Sequence, residues 1–218
     1  MKKNNNILNI TNGDVFNSYI SQNDSAVYLP FNEMMMHGKT VTHIASDEFI
    51  ATRIAELDTS FDEYRSKMKV FDILACDLNE YEEIRLWFGV DSFCQINLLT
   101  LLAYLEQIHY TKKVILNIID DYSFDVLEKN IIVELGIYNE LYNEVLVHQN
   151  IVYAKGVISQ RALDLYFDYI SNDGFLANYV KANPNKDEYL LVCDLLNLSK
   201  EYGISDIQAI NLIKKYRN

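Results

Sequence analysis

The sequence predicts an α/β fold: a small, mainly parallel sheet flanked by helices in the N-terminal half, followed by an all-helical C-terminal region. Short apolar runs bounded by turn residues alternate with helically spaced apolar positions as far as about residue 125, the pattern of strands joined by crossover helices. Beyond Leu127 the apolar spacing is mostly helical. Charge divides similarly: residues 1–154 hold 11 Lys/Arg against 23 Asp/Glu, whereas residues 155–218 hold 8 of each. The expected division is an α/β domain over 1–125 and a helical region over 126–218 packed on it.

Ile7–Ile10 is a buried first strand. Asn12-Gly13 is a strong hairpin signal, but Val15, Phe16, Tyr19 and Ile20 keep helical spacing after it. The turn therefore leads from strand to helix, with Asp14 at or near the N-cap. Ala26–Leu29 is a second strand, stopped by Pro30. Residues 31–45 lack periodicity and are punctuated by Gly38. A helix starts at Ser46, with Asp47 and Glu48 in its first turn. A charged helical stretch, read as a solvated face, runs from Phe61 to Cys76. Ile84–Phe88 is a strand ended by Gly89. The leucine-rich helix after it, capped by Asp91 or Ser92, has apolar residues on too many faces to be anything but buried. Val114–Ile119 is a strand closed by Asp120-Asp121. Helices then cover 163–170, 189–198 and 207–213, the last capped by Ser205 or Asp206.

Composition bounds the function. The 218 residues, half of them hydrophobic, are enough for a sizeable core. A net charge of −12 repels nucleic-acid phosphates, and the short "IKKYRN" cluster does little to offset it. No apolar run approaches the roughly 20 residues of a membrane helix, and "MKKNNNILNITNGD" lacks the apolar core of a secretion signal. Cys76, Cys94 and Cys193, an odd number without CxxC spacing, read as reduced thiols of a cytoplasmic protein.

The candidate site residues cluster at expected strand ends, where open α/β sheets bind ligands. The Gly13 N–H, with Asn12 beside it, suits an anion at a helix N-terminus. The plainer reading is that Gly13 supplies a positive φ and Asp14 a cap. Asp91 follows another strand in the same way. If Asp14 and Asp91 face each other, they form a carboxylate pair able to hold Mg²⁺ or to divide acid and base roles; otherwise both are caps. His37, beside Gly38, is a candidate general base, and Gln95 a ligand-orienting amide. No His/Cys spacing suits zinc. Met34–Met36 is an adaptable surface or core packing. Cys94 reads as a core thiol. The last two helices outline a helix-turn-helix whose reading helix lacks nearby cations, so packing is the simpler account.

The blocks "LNITNGD", "YLPFNEMMMHG", "DEFIATRIAEL" and "LWFGVDSFCQINLLTLLAYL" follow one another much as in the bacterial domain of unknown function 1835 family, which the chain resembles over most of its length. The matching positions are Gly13 and Asp14; Leu29, Pro30, His37 and Gly38; and Leu86, Trp87, Phe88, Asp91 and Gln95. Phe31 stands where the family usually has Trp. "GFLANYVKANP" and "EYGISDIQAINLI" resemble the family's helical second half. The resemblance implies the fold just described and brings no mechanism.

Two functional expectations follow. In one, the protein binds or processes a small phosphate-bearing ligand at the strand-end cleft, with Asp14, Asp91 and His37 as catalytic groups, Asn12, Gly13 and Gln95 as ligand contacts, and Mg²⁺ as a candidate cofactor. In the other, it is a regulatory protein whose C-terminal helices bind a protein or, failing that, DNA.

Overall fold

A computed structural model describes residues 6–22, 26–77 and 80–217. Residues 1–5, 23–25, 78–79 and 218 lie outside that set. Five strands form one sheet in the order β2-β1-β3-β4-β5: β1 (Ile7–Asn12), β2 (Tyr28–Phe31), β3 (Glu83–Phe88), β4 (Lys113–Ile119) and β5 (Val126–Val133). The first four run parallel, and β5 pairs antiparallel with β4. Ile10 aligns with Leu29 on one side and Leu86 on the other. The chain moves from β1 outward to β2, then crosses back to β3 on the other flank of β1. The sheet's switch point therefore lies between β1 and β3, the position at which such sheets form a crevice.

Alternation decides the faces. Leu8, Ile10, Ile84, Leu86 and Phe88 are fully buried, under the long helix α5 (Ser92–Gln107). On the opposite face α1 (Asp14–Ser21) sets Phe16 against Trp87 and Phe124. Trp87 Nε1 donates to Asn9 Oδ1 (3.1 Å), which partners the half-buried indole.

Three expectations need correction here. Pro30 does not stop the second strand but lies within it, opposite Thr11. β2 is an edge strand, and β1 bonds the alternate residues Val27 and Phe31, so the missing N–H of Pro30 faces outward. The stretch 61–76 is two helices, α3 (Phe61–Lys67) and α4 (Lys69–Asp77), broken at Met68; α4 is no solvated face, since it buries Val70, Phe71 and Leu74. Residues 126–133, expected in the helical half, form β5, so the sheet continues past residue 125.

The aperiodic segment 31–45 is organised by α2 (Asp47–Leu57), capped by Ser46, whose Oγ accepts from Phe49 N at 3.1 Å. Arg53 of α2 is fully buried. It donates to Glu33 Oε1 (2.6 Å) and to the carbonyls of His37 (2.7 Å), Lys39 (2.8 Å) and Met34 (3.0 Å). Tyr64 donates to the other Glu33 oxygen at 3.0 Å. One guanidinium thus holds the whole segment, and Met35 and Met36 pack in the core. At the far end of α5, Glu106 accepts from the backbone N–H groups of Gly136, Ile137, Tyr138 and Asn139 (2.5–2.9 Å), at the start of α6 (Tyr138–Tyr142).

Four further helices, α7 (Gln160–Ile170), α8 (Phe175–Ala182), α9 (Glu188–Leu198) and α10 (Asp206–Tyr216), enclose a second core built on Leu165, Leu176, Leu191, Leu195 and Leu212. Ser205 begins α10 with a capping box to Gln208.

Candidate functional site

Three parallel strands deliver side chains to the switch point. β1 ends in Asn12. After β3 the chain turns at Gly89 and reaches Asp91, the N-cap of α5, whose Oδ1 accepts from Cys94 N at 2.7 Å. After β4 comes Asp121, whose Oδ2 accepts from Val90 N at 3.2 Å. Cys94, one turn into α5, lies between them: its Sγ donates to Asp121 Oδ1 (3.1 Å) and accepts from Asn12 Nδ2 (2.8 Å). Asn12 Oδ1 in turn accepts from Asn97 Nδ2 at 3.0 Å, and that same nitrogen donates to Glu33 O at 2.6 Å.

Two glycines make this convergence possible. A Cβ at Gly89 would overlap the Asp121 carboxylate, and one at Gly203 would overlap that of Asp91. Gly203 belongs to the α9–α10 turn, which closes over the start of α5: Ser92 N donates to Glu201 O (2.9 Å) and Phe93 N to Tyr202 O (3.0 Å). The free donors of that helix end, an anion site in principle, are therefore satisfied by the chain's own carbonyls.

The electrostatics are those of crowded acids. Burial, and then the neighbouring Asp121 charge, push the Asp91 carboxyl up to about 7. Burial raises Asp121 as well. The pair holds a proton at a pH where isolated carboxyls have lost theirs. Burial, followed by the two carboxylates, pushes the Cys94 thiol well above its ordinary value. It is a neutral hydrogen-bonding thiol rather than a ready nucleophile. Among the described residues, Asp91, Cys94 and Asp121 form the one group of three such ligating atoms within 4.8 Å of one another. The two carboxylates suit a hard divalent cation, whereas the protonated thiol suits none.

Comparison with known families, curated proteins and solved structures finds no match. No described helix is long and apolar enough to cross a membrane.

The other candidates fall elsewhere. Gly13, at φ 83°, is itself the N-cap of α1, and Asp14 is the first helical residue, without a capping bond. The exposed Asp14 accepts from Asn32 Nδ2 at 3.1 Å. The carboxyl that meets Asp91 is Asp121. Gln95 is buried and occupied at both ends: Nε2 donates to Gly89 O (2.9 Å) and Oε1 accepts from Ser159 N (3.2 Å). It braces the Gly89 turn. His37 faces a different cavity, beside Glu56, with its pKa lowered by burial and then by Arg53. Asp121 escaped the sequence reading as a catalytic group, although it follows a parallel strand just as Asp14 and Asp91 do.

Proposed function

We propose that the protein binds a divalent cation, Mg²⁺ by its chemistry, between Asp91 and Asp121, and through it a small phosphate-bearing ligand that it holds or processes. The observation that carries this reading is the meeting of two carboxyls from neighbouring strand ends at the switch point, with their proton retained near neutrality. A cation replaces that proton and offsets the burial, and then the neighbouring charge, that raised the Asp91 pKa. It also makes a phosphate acceptable beside two acids, which otherwise repel it. Asn12 serves as a polar ligand contact, and the resemblance to the domain of unknown function 1835 family is kept as part of this proposal.

Thermal melts with and without millimolar Mg²⁺ test it. At pH 8 Mg²⁺ is expected to raise the Tm, the gain shrinking toward pH 5 and vanishing in Asp121→Asn. No Mg²⁺ response at pH 8 removes the reading.

A second reading draws on α9, where Tyr189 (74% exposed), Leu190 (52%) and Leu198 (40%) face solvent. Tyr189 and Leu190, adjacent at the start of the helix, offer a protein partner an apolar contact. Sedimentation of the native chain against Leu190→Glu tests its simplest form, a second copy: the variant should be the smaller species.

A further inference from the structure

Beside the carboxylate pair, on the β5 side, lies a cavity of about 350 Å³. Its size is that of a small-molecule pocket. Leu116 and Ile118 of β4 and Ile131 of β5 give it an apolar floor, and Val90 and Val157 come from two loops that border it. Val90 ties the cavity to the pair. It lines the one, its N–H donates to Asp121 Oδ2 of the other, and Asp91 is the next residue.

Two polar groups of this wall have hydrogen-bonding capacity left. Glu128 has no ion-pair partner among the described residues. Ser159 begins α7 without using its hydroxyl to cap it. Gln95, by contrast, is occupied at both ends. Glu128 is in register with Ile118 of β4. Ile118 is three residues before Asp121, at most about 10 Å from it along the chain. A nucleoside monophosphate is long enough to reach from the pair to Glu128.

We propose that this cavity takes the base of a guanine nucleotide whose phosphate is held by the cation at Asp91 and Asp121, an inference that rests on the cation reading above. The flat ring lies on Leu116, Ile118 and Ile131. A carboxylate accepts and does not donate, so Glu128 selects an edge with two adjacent N–H donors. Guanine presents that edge, N1–H beside N2–H, and the carboxylate takes both. Adenine sets a bare acceptor nitrogen against the same carboxylate, and hypoxanthine offers N1–H alone. The Ser159 hydroxyl is the donor for the ring oxygen of guanine.

Calorimetry on the full chain at pH 8, in millimolar Mg²⁺, tests it with GMP, IMP and AMP. GMP is expected to bind, IMP about tenfold more weakly for want of one hydrogen bond to a charged group, and AMP least. Glu128→Gln, on an exposed edge strand, should bring GMP down to the level of IMP. Ile131→Trp fills the cavity and should abolish GMP binding while leaving the Mg²⁺-induced rise in Tm. Two results overturn this inference and leave the cation reading standing: a Mg²⁺-induced rise in Tm without GMP binding, or GMP binding that either variant leaves unchanged. Equal binding of the three nucleotides overturns it as well. No Mg²⁺ response removes both.

Discussion

Asp91 does two things with one carboxyl: it caps α5 and it confronts Asp121. Its ordinary value is 3.8 and its folded value about 7. Between those values the folded chain keeps a proton that the unfolded chain has lost. This carboxyl's contribution to stability is therefore full below about pH 4 and falls away as pH rises through 7. Asp91→Asn imitates the protonated form and still caps the helix. Urea melts should find it more stable than the native chain at pH 8, by on the order of 2 kcal/mol, and equal at pH 4. Glu33 and Arg53 present the opposite case, a fully buried pair with every charge met. Arg53→Met strands the Glu33 carboxylate and should cost about 3–5 kcal/mol in the same melts. Asp91 was legible from sequence because a cap after a strand has a local signature. The Asp91–Asp121 partnership was not, because it depends on β3 and β4 being neighbours.

At the scale of elements, what the sequence revealed follows from how burial is distributed. α5 shows apolar residues on every face and proves buried from Cys94 through Leu105. β5 misled because it is an edge strand: most of "VLEKNIIV" is exposed or half-exposed, so no alternation marks it. Its antiparallel pairing with β4 supplies the order that its own residues do not. α6 depends on an element distant in sequence, since Glu106 binds four backbone donors at its start. Glu106→Ala leaves those donors without their acceptor. It should cost about 1–3 kcal/mol, with hydrogen exchange accelerated at residues 136–139 before the strands of the sheet.

For the whole molecule, the sheet core and the helical core of α7–α10 meet at the candidate site. A sheet in the N-terminal half followed by helices was legible, although β5 lies in the stretch read as helical. The way the parts join was not, because the Ser92–Glu201 and Phe93–Tyr202 bonds are long-range backbone contacts with no side-chain signature. Ser92 Oγ adds a bond to Ala162 O at 2.7 Å. Gly203→Ala puts a Cβ into the Asp91 carboxylate at a position with φ 72°. It should separate the two cores thermodynamically, turning a single denaturant transition into two.

The thiol between Asn12 and Asp121 gives the molecule its own clock. Cys94 is 5% exposed and held from both sides, whereas Cys76 is exposed. An alkylating reagent labels Cys76 at the rate of a free thiol, but it reaches Cys94 only in the fraction of time that the strand ends part. The ratio of the two labelling rates therefore measures how often the cleft breathes, without a mutation or a bound probe.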